Sequence, residues 1–315
     1  MFNESQKSAF LKQYISRMYL VRTAIAAFEV FAPYENAWGA DLCTKSAEEL
    51  QAPFNEVFSS RTKGRYVSVM LLREYTRWCM EQGFNGACDG MLQVQIPGLE
   101  EVRYRYESDP ADLHACLNLF LKDEAAEMSD LITRGFCWTC YSGIPVDGVL
   151  DLTTDCVDFS EMKIWFRGQS FPMYRESLLT FMQLVRLQDF RFFYMGHYIR
   201  RKRTGGNMLF RGIRELKEPK QLVARLRQEV VAVNKEREVD RTIAPQWISD
   251  SGMFYRAYQD ELRGIPATFT DWVTAESAGR EYVLDQFESK EQRLKKIERW
   301  KYEKYIEWKL AFNLV

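Results

Sequence analysis

Apolar residues recur at helical spacing through residues 1–86. One stripe begins at Phe10 and Tyr14, and a second, strongly apolar stripe runs through residues 67–80. Proline lacks the amide proton that a helix interior needs, so Pro33 predicts the end of a helix. The pattern therefore predicts a compact N-terminal unit built from several helices.

The pattern changes in residues 87–110. Glycine and proline are frequent there, as at Pro97 and Gly98, and no period is sustained. We therefore predict a linker over 87–110, which separates a first domain at 1–86 from a second domain at 111–315.

The second domain combines helical segments with one strand-like segment. Residues 156–174 alternate apolar and polar side chains around Arg167 and Gly168, which predicts a β-hairpin. Residues 198–206 are basic and contain two glycines, and we expect a flexible loop there. The predicted helices are 112–121, 124–141, 146–152, 176–189, 219–235, 251–262 and 290–312. The predicted fold class is mainly α with a small antiparallel β-hairpin or sheet.

The composition is that of a folded protein, with 46% hydrophobic and 28% charged residues. The polar start and the lack of any apolar run of about 18 residues predict a cytoplasmic protein without a membrane partner. Seven scattered cysteines predict free thiols, and Cys137 and Cys140 fit buried positions one helical turn apart. Because the chain has two histidines and no second cysteine pair, we expect no metal and no other cofactor.

Positive charge is concentrated in one stretch, although the net charge of the whole chain is −1. Residues 186–227 contain twelve lysines and arginines against three acidic residues. Such a local excess is typical of proteins that bind the phosphates of duplex DNA. The charge distribution therefore favours double-stranded DNA as a partner.

The most specific motifs lie at the end of a predicted helix and in the hairpin that follows it. The first is Tyr141-Ser-Gly-Ile-Pro-Val-Asp-Gly-Val-Leu-Asp-Leu152, and the second is Gly168-Gln-Ser-Phe-Pro-Met173. In this order they resemble the tyrosine recombinase, or phage integrase, family. The resemblance implies a C-shaped clamp of two domains around DNA, with a SAM-like core-binding domain at 1–86 and a catalytic-type domain at 111–315.

The chemistry of that family requires two arginines that stabilise charge on a phosphate, histidines for proton transfer and a tyrosine nucleophile. The first arginine follows Tyr141-Ser-Gly-Ile144, where this chain has Pro145. The second arginine and its basic neighbours are also replaced, while the tryptophan and the nucleophile keep their residue type. The replaced positions are Gln246, Ser249 and Asp250, and the retained ones are Trp272 and Tyr282. The resemblance therefore implies a degenerate site without catalytic residues.

The resemblance also implies DNA contacts from basic and aromatic residues in both domains, since cations bind the phosphates. These residues are Arg61, Lys63, Arg65, Arg167, Arg200, Arg201, Lys202, Arg203, Arg211, Arg214, Tyr255 and Arg256. The C-terminal helix at 290–312 carries an apolar stripe, which we expect to pack on its own domain. A homo-oligomer formed through this helix is the alternative.

We therefore predict a sequence-specific DNA-binding protein of integrase fold, which acts as a prophage-encoded transcriptional repressor in the bacterial cytoplasm. A small regulatory protein or peptide is a further expected partner. One alternative is a divergent but active recombinase in which Arg241 replaces a missing arginine. Another is a protein-interaction module that does not bind DNA, for which Arg200→Glu with Arg203→Glu leaves DNA affinity unchanged.

Overall fold

The structure is a computed structural model, and it describes residues 2–59, 65–121, 128–187, 189–195, 197–202, 206–210, 217–238, 241–270, 273 and 289–314. These residues divide into two compact units. The first unit contains the described residues of 1–102 together with 269–270, 273 and 289–314. The second unit contains the described residues of 103–268.

Most of the described chain is helical, and the strands form two small antiparallel sheets, so the predicted fold class is confirmed. The helices are α1 (Glu4–Leu11), α2 (Met18–Trp38), α3 (Ala47–Ser59), α4 (Arg65–Glu81), α5 (Gly90–Gln93), α6 (Leu99–Arg105), α7 (Pro110–Phe120), α8 (Met128–Ser142), α9 (Leu178–Arg186), α10 (Lys220–Arg237), α11 (Pro245–Leu262) and α12 (Lys290–Ala311). Short 3₁₀ helices lie at Lys12–Tyr14, Leu42–Thr44, Val146–Asp151, Thr154–Cys156 and Arg175–Ser177.

Aromatic side chains fill the core of the first unit. Phe10, Phe28 and Tyr75 contact each other edge to face, with ring centroids 4.9 to 6.3 Å apart. A buried ion pair joins the Lys7 ammonium of α1 to the Glu35 carboxylate of α2 at 2.6 Å. Because an unpartnered buried charge costs several kcal/mol, this pair fixes the position of α1 on α2.

Pro33 does not end a helix, as the sequence predicted, because α2 continues through it to Trp38. Phe28 before the proline and Glu35 after it are both fully buried. Packing on both sides therefore outweighs the cost of about 3 kcal/mol that proline has inside a helix. The helix ends instead at Gly39, whose φ of 61° is easily adopted only by glycine.

The C-terminal helix α12 packs against α4, within the first unit. Tyr305 and Trp308 are fully buried there, and Tyr302 contacts Tyr19 of α2 edge to face, with ring centroids 6.0 Å apart. The sequence predicted that this helix packs on its own domain at 111–315. An apolar stripe identifies a face that will be buried, but not the surface that covers it. The homo-oligomer through α12 stays a prediction.

The predicted linker differs from the structure, which places α5 and α6 within it. Met91, Val94 and Leu99 are buried against the first unit, so this unit extends to residue 102 rather than 86. Helices this short give too few turns for a helical period to be recognised in the sequence.

Helix α8 is central to the second unit. Its side chains Phe136, Trp138 and Tyr141 are fully buried, and α9, α10 and α11 pack around it. Cys137 and Cys140 are buried on the same helix as free thiols, which confirms their predicted positions.

The predicted hairpin is confirmed as part of a three-stranded antiparallel sheet. Its strands are β1 (Val157–Asp158), β2 (Lys163–Phe166) and β3 (Gln169–Pro172), in the order β1-β2-β3. The turn between β2 and β3 lies at Arg167 and Gly168, with φ values of 50° and 78°. Ile164 of β2 is fully buried, so one face of the sheet belongs to the core of the unit.

A second antiparallel pair follows α9, formed by β4 (Asp189–Tyr194) and β5 (His197–Lys202). Two predictions are wrong here: the helix expected over 176–189 ends at Arg186, and the expected flexible loop at 198–206 is a strand as far as Lys202. Aromatic residues favour extended backbone, and three of the six residues of β4 are phenylalanines. The pairing of β4 with β5, each six residues long, outweighs the local helical pattern.

Candidate nucleic-acid interface

The resemblance to integrases predicts the position of the first arginine just after the end of α8. The amide of Gly143 donates to the carbonyl of Cys140 at 3.0 Å, and the amide of Ile144 donates to the carbonyl of Thr139 at 3.2 Å. These are the two hydrogen bonds of a Schellman motif, and Gly143 has the positive φ, 103°, that the motif requires. Pro145 follows this motif, is exposed and brings no charge to the site.

Arg256 of α11 brings a guanidinium to this helix end. Its Nη1 atom donates to the carbonyl oxygen of Tyr141 at 2.7 Å and to the hydroxyl of Tyr174 at 3.3 Å. A cation near the last carbonyls of a helix is favourable, because those carbonyls lack partners within the helix. Among the described residues, no carboxylate forms an ion pair with Arg256. The half-buried guanidinium of Arg256 therefore supplies a positive charge at the end of α8, and Pro145, which follows that end, supplies none.

Three tyrosine rings cluster near the Arg256 guanidinium, which donates a hydrogen bond to one of them. The ring of Tyr174 lies 5.1 Å from that of Tyr141 and 6.2 Å from that of Tyr255. Burial raises the pKa of the Tyr141 phenol well above its ordinary value, and burial also raises the pKa of Tyr255. Both phenols are therefore neutral at physiological pH and can act as hydrogen-bond donors but not as oxyanion nucleophiles.

The first two turns of the helix that presents Arg256 contain Gln246, Ser249 and Asp250, the positions at which the resemblance to integrases predicts replaced catalytic residues. Gln246 is exposed and its Nε2 donates to the Asp250 carboxylate at 3.1 Å, while Asp250 itself is buried. Ser249 is half-buried. None of these three side chains is itself a cation.

Helices α8 and α11 approach each other closely at Gly252. A Cβ atom at this glycine would lie 1.9 Å from the carbonyl oxygen of Tyr141, the same oxygen that Arg256 contacts. Such a contact is far inside the van der Waals distance, so only glycine allows this packing. Gly252 therefore sets the distance over which Arg256 reaches the end of α8.

Arg241, the substitute arginine of the recombinase alternative, has a different environment. Its Nη2 donates to both carboxylate oxygens of Glu107, at 2.7 and 2.9 Å. Burial raises the pKa of Glu107 to about 7, and the nearby Arg241 charge opposes this shift. Arg241 is thus committed to an internal ion pair, whereas Arg256 is not.

The structure places the predicted DNA-contacting residues in several environments. Arg65 donates from Nη2 to the carbonyl of Pro97 at 3.0 Å, at the start of α4. Arg167 lies on the exposed β2–β3 turn and pairs with Asp151 at 2.9 Å. Arg200, Arg201 and Lys202 lie in β5. Arg61, Lys63, Arg203, Arg211, Arg214, Trp272 and Tyr282 lie outside the described residues.

The sequence analysis missed the strand pair β4–β5 and the exposed residue at its turn. Met195 is 80% exposed and has a φ of 49°. The available signal was a Met-Gly dipeptide at 195–196 between two segments rich in aromatic and basic residues, since two-residue connections with glycine are typical of hairpins.

Within the described part of the chain, no helix is long and apolar enough to cross a membrane. The same residues contain no group of three or more His, Cys, Asp or Glu side chains placed to hold a metal ion.

Comparison with curated proteins gives no match to the chain. A family model does match its N-terminal part. The matched model is described as MrpR, N-terminal core-binding domain, and it covers residues 1–81. The match ends with α4 and falls within the segment that resembles an integrase core-binding domain. Residues 1–81 are therefore similar to the core-binding domain of the MrpR family.

Proposed function

We propose that this chain binds double-stranded DNA sequence-specifically through an integrase-like fold and represses transcription without cutting the DNA. The match of residues 1–81 to a core-binding domain is the observation that carries the proposal. The excess of twelve basic over three acidic residues in 186–227 supports it, because phosphate contacts supply much of the affinity of DNA-binding proteins. The chain then acts in the bacterial cytoplasm as the product of a prophage.

The absence of a cutting step rests on the residues at the degenerate site. Removing one preorganised donor from a catalytic centre typically lowers the rate by about 10²- to 10³-fold. Here Pro145 and Ser249 are uncharged, and Asp250 is an acid where a basic residue belongs. A scissile phosphate would therefore find no positive side chain supplied by Pro145, Ser249 or Asp250.

The test begins with selection of bound fragments from a pool of fragmented bacterial genomic DNA. We expect one recurring sequence, and binding to it in a gel shift should weaken steeply as salt is raised, because bound phosphates release counterions. A nicked duplex of that sequence should give no covalent protein–DNA adduct. Failure to enrich any sequence would overturn the proposal. An adduct abolished by Tyr282→Phe would overturn its non-catalytic part.

A divergent recombinase is the second candidate, favoured by the hydrogen bond between Arg256 and the Tyr174 hydroxyl. In that case Tyr174, and not Tyr282, would attack the phosphate. The adduct assay with Tyr174→Phe separates the two candidates, because only a recombinase acting through Tyr174 loses an adduct on this change. The pairing of Arg241 with Glu107 disfavours Arg241 as a second phosphate ligand.

A further inference from the structure

The strands β4 and β5 form a two-stranded ribbon. Six residue pairs join the strands, from Asp189 with Lys202 to Tyr194 with His197, and two residues connect them. At about 3.3 Å per residue such a ribbon is roughly 20 Å long. Strand β4 packs against α8.

The register of the ribbon places like charges opposite each other. Arg191 is the register partner of Arg200, and Phe190 is the register partner of Arg201. Like charges at directly opposed positions destabilise a strand pair, and a two-stranded hairpin has little stability of its own. Only the pair of Asp189 and Lys202 combines opposite charges among these six. The ribbon therefore carries an excess of positive charge that a bound polyanion would neutralise.

The turn of the ribbon presents Met195. At 80% exposure it is a large apolar side chain held in water, although side chains of this kind are usually buried. Its φ of 49° lies in the left-handed region, where asparagine or glycine would be favoured in a two-residue turn. Neither solubility nor turn geometry accounts for methionine at this position.

We infer that the β4–β5 ribbon enters the minor groove of duplex DNA and that the Met195 side chain inserts between adjacent base pairs. Proteins that bind the minor groove insert apolar side chains, methionine among them, between base steps and thereby kink the duplex. Arginines favour the negative potential of this groove, and β5 supplies Arg200 and Arg201. The inference rests on the proposed function, because it requires that the chain binds DNA.

The charge of the ribbon and the apolar side chain at its turn together favour duplex DNA as the ligand over an acidic protein. An acidic protein would also neutralise the cations, but it offers no gap between stacked planar rings for an apolar side chain. A DNA duplex offers continuous phosphates along the groove and base steps that open at a modest cost, least at TA steps. The ribbon and its turn thus match two features of one ligand.

The experiment uses the full chain and a duplex of roughly 40 base pairs that carries a fluorophore at each end, with and without a central TA step. Energy transfer between the fluorophores reports bending, and fluorescence anisotropy reports affinity. We expect the wild-type protein to bring the ends closer together and to bind the TA duplex several-fold more tightly. Met195→Asn should bind about tenfold more weakly and leave the duplex straight.

Met195→Asn is also expected to keep or raise the melting temperature, because asparagine suits the turn better than methionine. A loss of bending therefore does not reflect unfolding. Leu179→Asn is the matched control, since Leu179 is 64% exposed on α9 of the same unit and should change neither affinity nor bending. Binding with unchanged bending by Met195→Asn, or binding without bending by the wild type, would overturn the inference and leave the proposed function intact. No binding to any duplex would overturn both.

Discussion

Two antiparallel hairpins of the second unit share a local geometry and differ in how their charges are arranged. The turn of the β2–β3 hairpin has a residue at positive φ, Arg167, and so does the turn of the β4–β5 ribbon, Met195. On the first hairpin the tip charge is paired with Asp151, and Ile164 faces the core. On the ribbon two arginines are register partners, and the tip is apolar and exposed. One hairpin is stabilised by contacts within the unit, whereas the other has the charges and the exposed tip from which we inferred DNA binding.

The largest expected effect is on the internally stabilised hairpin. Ile164→Ala should lower the free energy of unfolding by about 3 kcal/mol, because it removes a fully buried side chain and leaves a cavity. Trp165→Ala is the matched control. Trp165 is the next residue in the strand and is 43% exposed, so about 1 kcal/mol or less is expected. Denaturant unfolding measures both, and equal losses would show that this hairpin is not part of the core.

The second prediction concerns the ribbon and has opposite signs for stability and binding. Arg200→Glu places an acid opposite Arg191, so the ribbon should gain a few tenths of a kcal/mol in stability. DNA affinity should fall by roughly 10- to 100-fold, because a phosphate contact becomes a repulsion. Gel shifts and thermal unfolding on the same sample measure the two effects. A fall in both quantities would mean that weaker binding reflects a damaged ribbon.

The third prediction uses the internal pair of Glu107 and Arg241. Glu107 has its pKa raised to about 7, mainly by burial, so the folded state holds its proton more tightly than the unfolded chain does. The resulting stabilisation is present below about pH 4.5 and is lost as pH rises through about 7. Glu107→Gln cannot ionise, so wild-type stability should fall relative to this variant by about 2 kcal/mol between pH 5 and 8. Parallel pH dependences of the two proteins in urea unfolding would contradict this assignment.

The smallest expected effect is on DNA binding by the first hairpin. Arg167→Gln should lower DNA affinity by less than about threefold, because Asp151 already neutralises much of the Arg167 charge. Arg200→Gln is its counterpart on the ribbon and should lower affinity by about tenfold and reduce the slope of log affinity against log salt by about one. Equal losses from both variants would remove the distinction between the hairpins.

The sequence predicted those parts of the fold that follow from local periodicity. Helices with long apolar stripes, such as α4 and α8, lie close to their predicted positions. Pro33 and β4 were predicted wrongly because tertiary packing and strand pairing outweighed local preference at each. A stripe on α12 was visible, but its partner was not, since many surfaces can cover an apolar face.

The sequence suggested residues for the candidate site but could not give their geometry. The resemblance to integrases predicts that Pro145 stands where a cation is missing. It could not show that Arg256 reaches the same helix end from another helix, because that contact depends on the close approach of α8 and α11 at Gly252. Side chains that meet across two helices leave no periodic signal in either one.

The position of α12 has a consequence for how the protein is made. The ribosome synthesises α4 roughly 200 residues before the aromatic face of α12 that packs on it. Domains generally fold as units, with N-terminal domains first, at synthesis rates of about 5–20 residues per second. Here the first unit cannot bury Tyr305 and Trp308 until the second unit has already emerged. The α4 surface on which α12 packs therefore stays uncovered for many seconds of translation.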